Sequence, residues 1–203
     1  MTVGVIDYGM GNLGSVLQAL SYLEIDNRVI DTPKLLADCS HVILPGVGSF
    51  GTAKYNLNKN GFDDALKSFA QAEKPILGIC LGMQMFAEIG FENGSNDGLG
   101  LIQGKVVPII SCSKKFRIPH VGWNSTVFER PSPLLEGVAN GSDFYFVHSF
   151  HFDVSDNSHV LATTVHGTKF ASIVARDNIF GTQFHPEKSS ANGLKILSNF
   201  CKF

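Results

Sequence analysis

Short apolar runs that stop abruptly at glycine or proline alternate with stretches of helical periodicity through the first half of the chain. Residues 3–7 form a β-branched run closed by the Gly-rich stretch 9–14, and residues 41–44 are stopped by Pro45-Gly46. Residues 75–79 run straight into a helical stretch predicted over 81–91. Between these runs Val16, Leu17, Leu20 and Leu23 recur at the spacing of one helix face, as do Leu66, Phe69 and Ala70 within 63–72. A strand this short, with no polar alternation, needs cover on both faces, which points to a parallel sheet between helices. The second half changes character. Strand-like runs at 101–107, 125–128, 143–147, 159–164, 170–174 and 179–184 lie close together and predict an antiparallel addition. A closing helix over 190–200 would bury Leu194, Leu197 and Phe200. The fold class expected is therefore α/β: a mostly parallel central sheet flanked by helices, with an added antiparallel strand region. The 203 residues suit one domain over 1–203.

Composition narrows the function. Hydrophobic residues at 44% and charged residues at 17% fit a packed enzyme rather than a disordered chain. A net charge of -2 offers no basic footprint for nucleic acid or for a membrane surface. No apolar run reaches the roughly 18 residues of a membrane span, and the first residues lack a basic signal-peptide region. The four cysteines, Cys39, Cys80, Cys112 and Cys201, have neither CxxC nor zinc-type spacing. No metal or cofactor is expected, and the chain reads as cytoplasmic.

The most informative segment is Gly78-Ile79-Cys80-Leu81-Gly82, where a buried strand reverses into a helix. It has the G-x-nucleophile-x-G pattern of a strained elbow, with cysteine as the nucleophile. Small flanking residues keep side chains out of the tight turn, and the helix N-terminus favours a thiolate at Cys80. Most free cysteines are inert core residues, so the elbow alone leaves a catalytic and a structural reading about equal.

A thiol nucleophile needs a proton acceptor, and that acceptor needs orienting. Among seven histidines, His185 stands out in Gln183-Phe184-His185-Pro186-Glu187. With the chain extended through Pro186, Glu187 would lie on the same side and hold one ring nitrogen. An isolated strand-end histidine beside a glutamate is usually structural; together with the elbow, a Cys80–His185–Glu187 triad is the better reading.

These segments resemble the triad-type (class I) glutamine amidotransferases. The stretches Asp7-Tyr8-Gly9-Met10-Gly11-Asn12-Leu13, Pro45-Gly46-Val47-Gly48-Ser49-Phe50, Pro119-His120-Val121-Gly122-Trp123-Asn124 and Tyr145-Phe146-Val147-His148-Ser149-Phe150 narrow the likeness. Within the family they are similar to glutaminase subunits of imidazole glycerol phosphate synthase. The resemblance implies glutamine as substrate, attacked by Cys80, with His185 moving protons and Glu187 orienting it. It implies an oxyanion strand of Gly46, Val47 and Gly48, a second N–H from Leu81, and substrate contacts from Gln84, Glu92, Ser149 and Phe150. The family more often carries tyrosine at the Phe150 position. The partner implied is a (β/α)8-barrel cyclase subunit in a heterodimer, with Asn12, Trp123, Asn124 and Lys188 in segments that face it.

Three other readings stay open at this point. The same glutaminase chemistry could feed a sugar-amidination enzyme, which the unusual stretches 111–117 and 150–152 bring to mind. A stand-alone cysteine hydrolase would turn over without a partner. A non-catalytic binding module is disfavoured by the joint presence of Cys80, His185 and Glu187.

Overall fold

The computed structural model describes residues 1–110 and 116–203. Cys112 and most of the unusual 111–117 stretch lie outside the described residues. The chain runs β1 (Val3–Ile6), α1 (Leu13–Tyr22), β2 (Asn27–Ile30), β3 (His41–Leu44), α2 (Phe50–Lys59), α3 (Phe62–Gln71), β4 (Ile76–Ile79) and α4 (Leu81–Gln84). It continues through β5 (Ile89–Gly90), β6 (Asn96–Asp97), β7 (Gly104–Pro108), β8 (His120–Ser125), β9 (Val127–Phe128), β10 (Asp143–His148) and β11 (Phe150–Val154). Then come β12 (Val160–His166), β13 (Thr168–Arg176), β14 (Ile179–Thr182) and α5 (Ser190–Phe200).

The main sheet has eight strands in the order β2-β1-β3-β4-β14-β13-β12-β9. Its β2, β1, β3, β4 and β14 are parallel, whereas β13, β12 and β9 add antiparallel pairs. This is the α/β architecture anticipated, with the antiparallel addition on one flank. The parallel strands β1, β3, β4 and β14 are buried at every position. Alternate side chains feed opposite faces: Val3, Val5, Ile43, Leu77 and Ile79 pack with Val16, Leu20, Ile196 and Phe200 of α1 and α5. Ile6, Val42, Leu44 and Ile76 pack with Phe50, Leu57, Phe62 and Leu66 of α2 and α3. Each fully buried side chain of this size contributes roughly 1.5–3 kcal/mol against exposure. Leu197 and Phe200 are buried as expected in α5, while Leu194 is only half-buried.

Several elements differ from the sequence expectation, each for a local reason. The helix after β4 ends at Gln84 and does not continue to residue 91. The returning segment takes the carbonyls a longer helix would need: Leu99 N–H donates to Met85 O, Leu101 N–H to Phe86 O and Gly100 N–H to Ala87 O. Helix α2 was not anticipated, because its Asn and Gly residues are weak helix formers. Burial of Phe50, Ala53 and Leu57 on one face supplies what propensity lacks. The run 125–128 is broken between β8, which pairs with β10, and β9, which pairs with β12. At the switch Thr126 is buried, its hydroxyl bonded to that of Thr164 at 3.0 Å.

Candidate active site

The carboxyl ends of β3, β4 and β14 meet at one place, the usual position of a site in an open parallel sheet. β4 delivers Cys80 at φ 56° and ψ -109°, a conformation that L side chains rarely adopt. The flanking glycines permit it. A Cβ at Gly78 would sit 2.6 Å from the carbonyl carbon of Gly82, and one at Gly82 would overlap Leu44 O. The turn is fastened by Cys80 N–H to Thr182 O at 2.7 Å and Gln84 N–H to Cys80 O at 3.1 Å. Among the described residues nothing accepts from Leu81 N–H, nor from Val47 or Gly48 N–H. Three donors are thus left free around the nucleophile. Gly46 packs against the elbow itself, since a Cβ there would lie 2.8 Å from Gly82 N.

β14 leads into His185, whose main chain is pinned by its N–H to Tyr145 O at 2.9 Å and by Ser189 Oγ on its carbonyl at 2.6 Å. His185 Nδ1 and Glu187 Oε1 are 2.8 Å apart, and both side chains are 2% exposed. The pair forms through a 3-10 turn at Pro186–Lys188, not through the extended chain that the sequence suggested. Burial alone would depress this imidazole. Its contacts with Cys80 and with the Glu187 carboxylate reverse that and push it up to about 10. Among the described residues Nε2 has no partner at hydrogen-bond distance, so the influence of Cys80 acts over a longer range, and Nε2 is the nitrogen that Glu187 leaves free. The sulfur itself faces Val147 O at 3.8 Å and Gln183 Nε2 at 3.7 Å.

A cavity of about 270 Å³ opens at Cys80 and is lined by Val47, Gly48, Leu81, Gln84, Glu92, Ser149 and Phe150. Residues from four separate stretches of sequence therefore converge on one space, joined there by Pro119, Val147 and His148. Among the described residues no group of three His, Cys, Asp or Glu could hold a metal ion. No helix of the described residues is long and apolar enough to cross a membrane.

A family model for glutamine amidotransferase class-I matches residues 4–202. The chain belongs to the class-I glutamine amidotransferases. It is 45% identical over 203 residues to the imidazole glycerol phosphate synthase subunit HisH of Sulfurimonas denitrificans, covering 99% of this chain and 98% of that protein. It is 46% identical to subunit HisH 1 of Campylobacter jejuni, covering 98% of this chain and 99% of the relative. Among solved structures, PurLQS from Thermotoga maritima superposes with a TM-score of 0.76 at 21% identity, over 99% of this chain and 97% of that one. At that identity the superposition speaks for the fold alone.

The remaining anticipated residues of this amidotransferase fall in different places. Glu92 does not end the elbow helix; it lies between β5 and β6. Its Oε2 accepts Phe50 N–H at 2.7 Å, so it caps α2 while also lining the cavity. Trp123 is 53% exposed on β8, edge-on to Tyr145. Lys188 is exposed at the end of the 3-10 turn, and Asn12 is exposed while accepting Ser15 N–H as the cap of α1. Asn124 is half-buried and turned inward to His120. Neither Asn12 nor Lys188 reaches the cavity.

Sequence reasoning passed over Gln183, which stands in the quoted motif and touches both Gln84 and the sulfur. It also passed over Tyr8, whose buried hydroxyl has no partner and whose pKa is raised by burial and then by nearby Cys80. The other described cysteines, Cys39 and Cys201, are buried away from the site. Burial pushes the Cys201 thiol up to about 12, which keeps it unreactive.

Proposed function

We propose that this chain is a single-domain (1–203), cytoplasmic glutaminase subunit of imidazole glycerol phosphate synthase, acting in histidine biosynthesis. It would pass ammonia to a (β/α)8-barrel cyclase in a heterodimer. The observation that carries the chemistry is a cysteine at a strained elbow beside a buried His–Glu pair, opening on an amino-acid-sized cavity. The near-full-length likeness to HisH subunits supports the acceptor and the pathway.

Cys80 gives its proton to His185 Nε2 and attacks the side-chain carbonyl carbon of glutamine. The resulting oxyanion takes N–H donors from Leu81 and from the Val47–Gly48 stretch, each worth roughly 3 kcal/mol in comparable sites. Gly48, at φ +104°, gives that stretch the backbone freedom to present an N–H. His185 then protonates the leaving amine, and ammonia departs from a glutamyl thioester. Water, deprotonated by His185, hydrolyses the thioester to glutamate and restores the thiol. Glu187 keeps Nδ1 protonated and steadies the imidazolium. Gln84, Glu92, Ser149 and Phe150 bound the pocket for the amino-acid end of the substrate. Ammonia is useful to the acceptor only while unprotonated, which favours a handover sheltered from water. Asn12, Trp123, Asn124 and Lys188 would meet the partner, Trp123 as the aromatic anchor.

The test is glutamine turnover by the chain alone and with a barrel cyclase. Slow hydrolysis alone and an increase of orders of magnitude in the loaded complex are expected. Cys80→Ala should abolish glutamine use and leave ammonium-supported synthesis intact. Retained glutamine hydrolysis in that variant overturns the mechanism, and full activity without a partner overturns the assignment as a subunit.

A further inference from the structure

Behind the pocket wall lies a row of polar contacts, exposed at its Asn124 end and buried between the two histidines, that no step above uses. Asn124 Nδ2 stands 3.0 Å from Val165 O and 3.2 Å from His120 Nε2, while Asn124 Oδ1 accepts Ser125 N–H at 2.9 Å. His120 Nδ1 is 2.9 Å from His148 Nε2, and His148 Nδ1 is 2.8 Å from Phe150 O. The same carbonyl accepts Gln84 Nε2 at 2.9 Å. Gln84 Nε2 also donates to Gln183 Oε1 at 3.0 Å, which leaves Gln183 Nε2 facing Cys80 Sγ.

The donor direction is fixed from both ends. Val165 O can only accept and Ser125 N–H can only donate, so the Asn124 amide has one orientation. Its NH₂ then faces His120 Nε2, which must be the unprotonated nitrogen; His120 Nδ1 carries the proton and donates to His148 Nε2. His148 is therefore protonated at Nδ1, which is what Phe150 O, an acceptor only, requires. Both rings are buried, His120 at 3% and His148 at 6% exposure. His120 stacks on His166 at 4.0 Å and on Phe146 at 4.9 Å, which leaves the rings little room to turn.

We propose that His120 and His148 are positioning residues of this glutaminase: two neutral Nδ1–H imidazoles in series, directed by Asn124, that hold the Phe150 carbonyl where Gln84 needs it and so set the pocket wall. The inference rests on the glutaminase reading for its kinetic consequence, though not for its tautomers. The wall between β10 and β11 supplies cavity-lining residues from Val147 to Phe150, including the carbonyl that faces the sulfur. If His148 lost its Nδ1 proton, two lone pairs would oppose each other at Phe150 O, and the carbonyl would turn from Gln84. Burial is the main influence holding both rings unprotonated, with His166 acting on His120 and with His120, His151 and His166 acting on His148.

The experiment pairs side-chain tautomers with kinetics on the full chain. Long-range ¹H–¹⁵N spectra should show His120 and His148 as neutral Nδ1–H tautomers. His120→Phe, which removes the donor to His148 Nε2, should shift the Nε2 resonance of His148 while Phe150 O keeps the proton on Nδ1, and His120→Asn, which keeps a donor, should preserve the parent resonance. In glutaminase assays on the complex, His148→Phe should raise KM for glutamine about tenfold with a smaller change in kcat, as loss of one buried hydrogen bond allows. His148→Asn, whose amide can still donate to Phe150 O, should return KM to within about threefold of the parent. An Nε2–H tautomer at either ring in the parent protein overturns the proposal, as does an unchanged KM in folded His148→Phe. Should His148→Phe fail to fold, the parent spectrum and the His120 pair decide. Absence of glutamine turnover by the parent complex would instead overturn the glutaminase reading, and the tautomers would still be measured.

Discussion

His185 and His148 are buried to nearly the same degree, at 2% and 6% exposure, yet their proton affinities move in opposite directions. Desolvation acts on both in the same sense, against the charged ring. At His185 the ionised Cys80 sulfur and a carboxylate oxygen 2.8 Å from Nδ1 together outweigh it. At His148 the partners are a carbonyl and another imidazole; burial wins, and the value falls to about 3. The partner atom, not burial, decides whether a histidine in this core gains or loses proton affinity.

The largest effect is expected at Glu187. Glu187→Gln leaves the shape and removes the charge, so His185 should fall from its raised value by the share that the carboxylate adds to that of Cys80. A kcat loss of roughly 10³–10⁴-fold is expected by analogy with other oriented imidazoles. An NMR titration that finds His185 still elevated would place the main influence on the sulfur instead. The converse change, Asn124→Asp, offers His120 a carboxylate. His120, now at about 4, should titrate nearer to neutrality, and KM should rise several-fold as the relay gains a second proton.

Stability against acid gives a third measurement, with the sign fixed by the shifts. His120 and His148 have folded values below the unfolded one of about 6.5. Below pH 6.5 the unfolded chain therefore binds more protons, and stability falls as pH drops towards about 4 and 3. Each ring contributes a slope of roughly 1 kcal/mol per pH unit in that window. His185 behaves oppositely: its contribution is present below 6.5 and is lost as pH rises towards about 10. Urea midpoints at pH 8, 6.5 and 5 should show a weaker acid dependence in a His120→Phe/His148→Phe double variant. An equal dependence in both proteins would assign the acid loss to other groups. The smallest effect is expected at Glu92, where replacement by Ala removes the cap on α2. That should cost about 1 kcal/mol in thermal stability, and a rise in KM beyond threefold would show that its cavity face also meets substrate.

The parallel strands β1, β3, β4 and β14 were legible because they are almost wholly apolar, whereas β2, with Asn27 and Arg28, was not anticipated; the elbow was legible because Gly78 and Gly82 flank a cysteine at a strand end. Periodicity misled where contacts distant in sequence competed for the same atoms. The carbonyls of Met85, Phe86 and Ala87 are taken by residues 99–101, so an apparently helical stretch stops after one turn. Helix α2 was hidden by poor propensity and recovered by its buried face. Glu187 meets His185 at 2.8 Å through a 3-10 turn, where the sequence spacing suggested an extended chain.

Residue order alone determined the parallel core, the strained cysteine and the imidazole with its adjacent carboxylate, because each is written in neighbouring positions and follows from backbone sterics or short-range reach. Tertiary structure decided which loops line the cavity, that Gln183 faces the sulfur, and that Asn124, His120 and His148 align in one direction. Those relations join residues tens of positions apart, and only the folded path of β8, β10 and β12 brings their donors and acceptors within bonding distance.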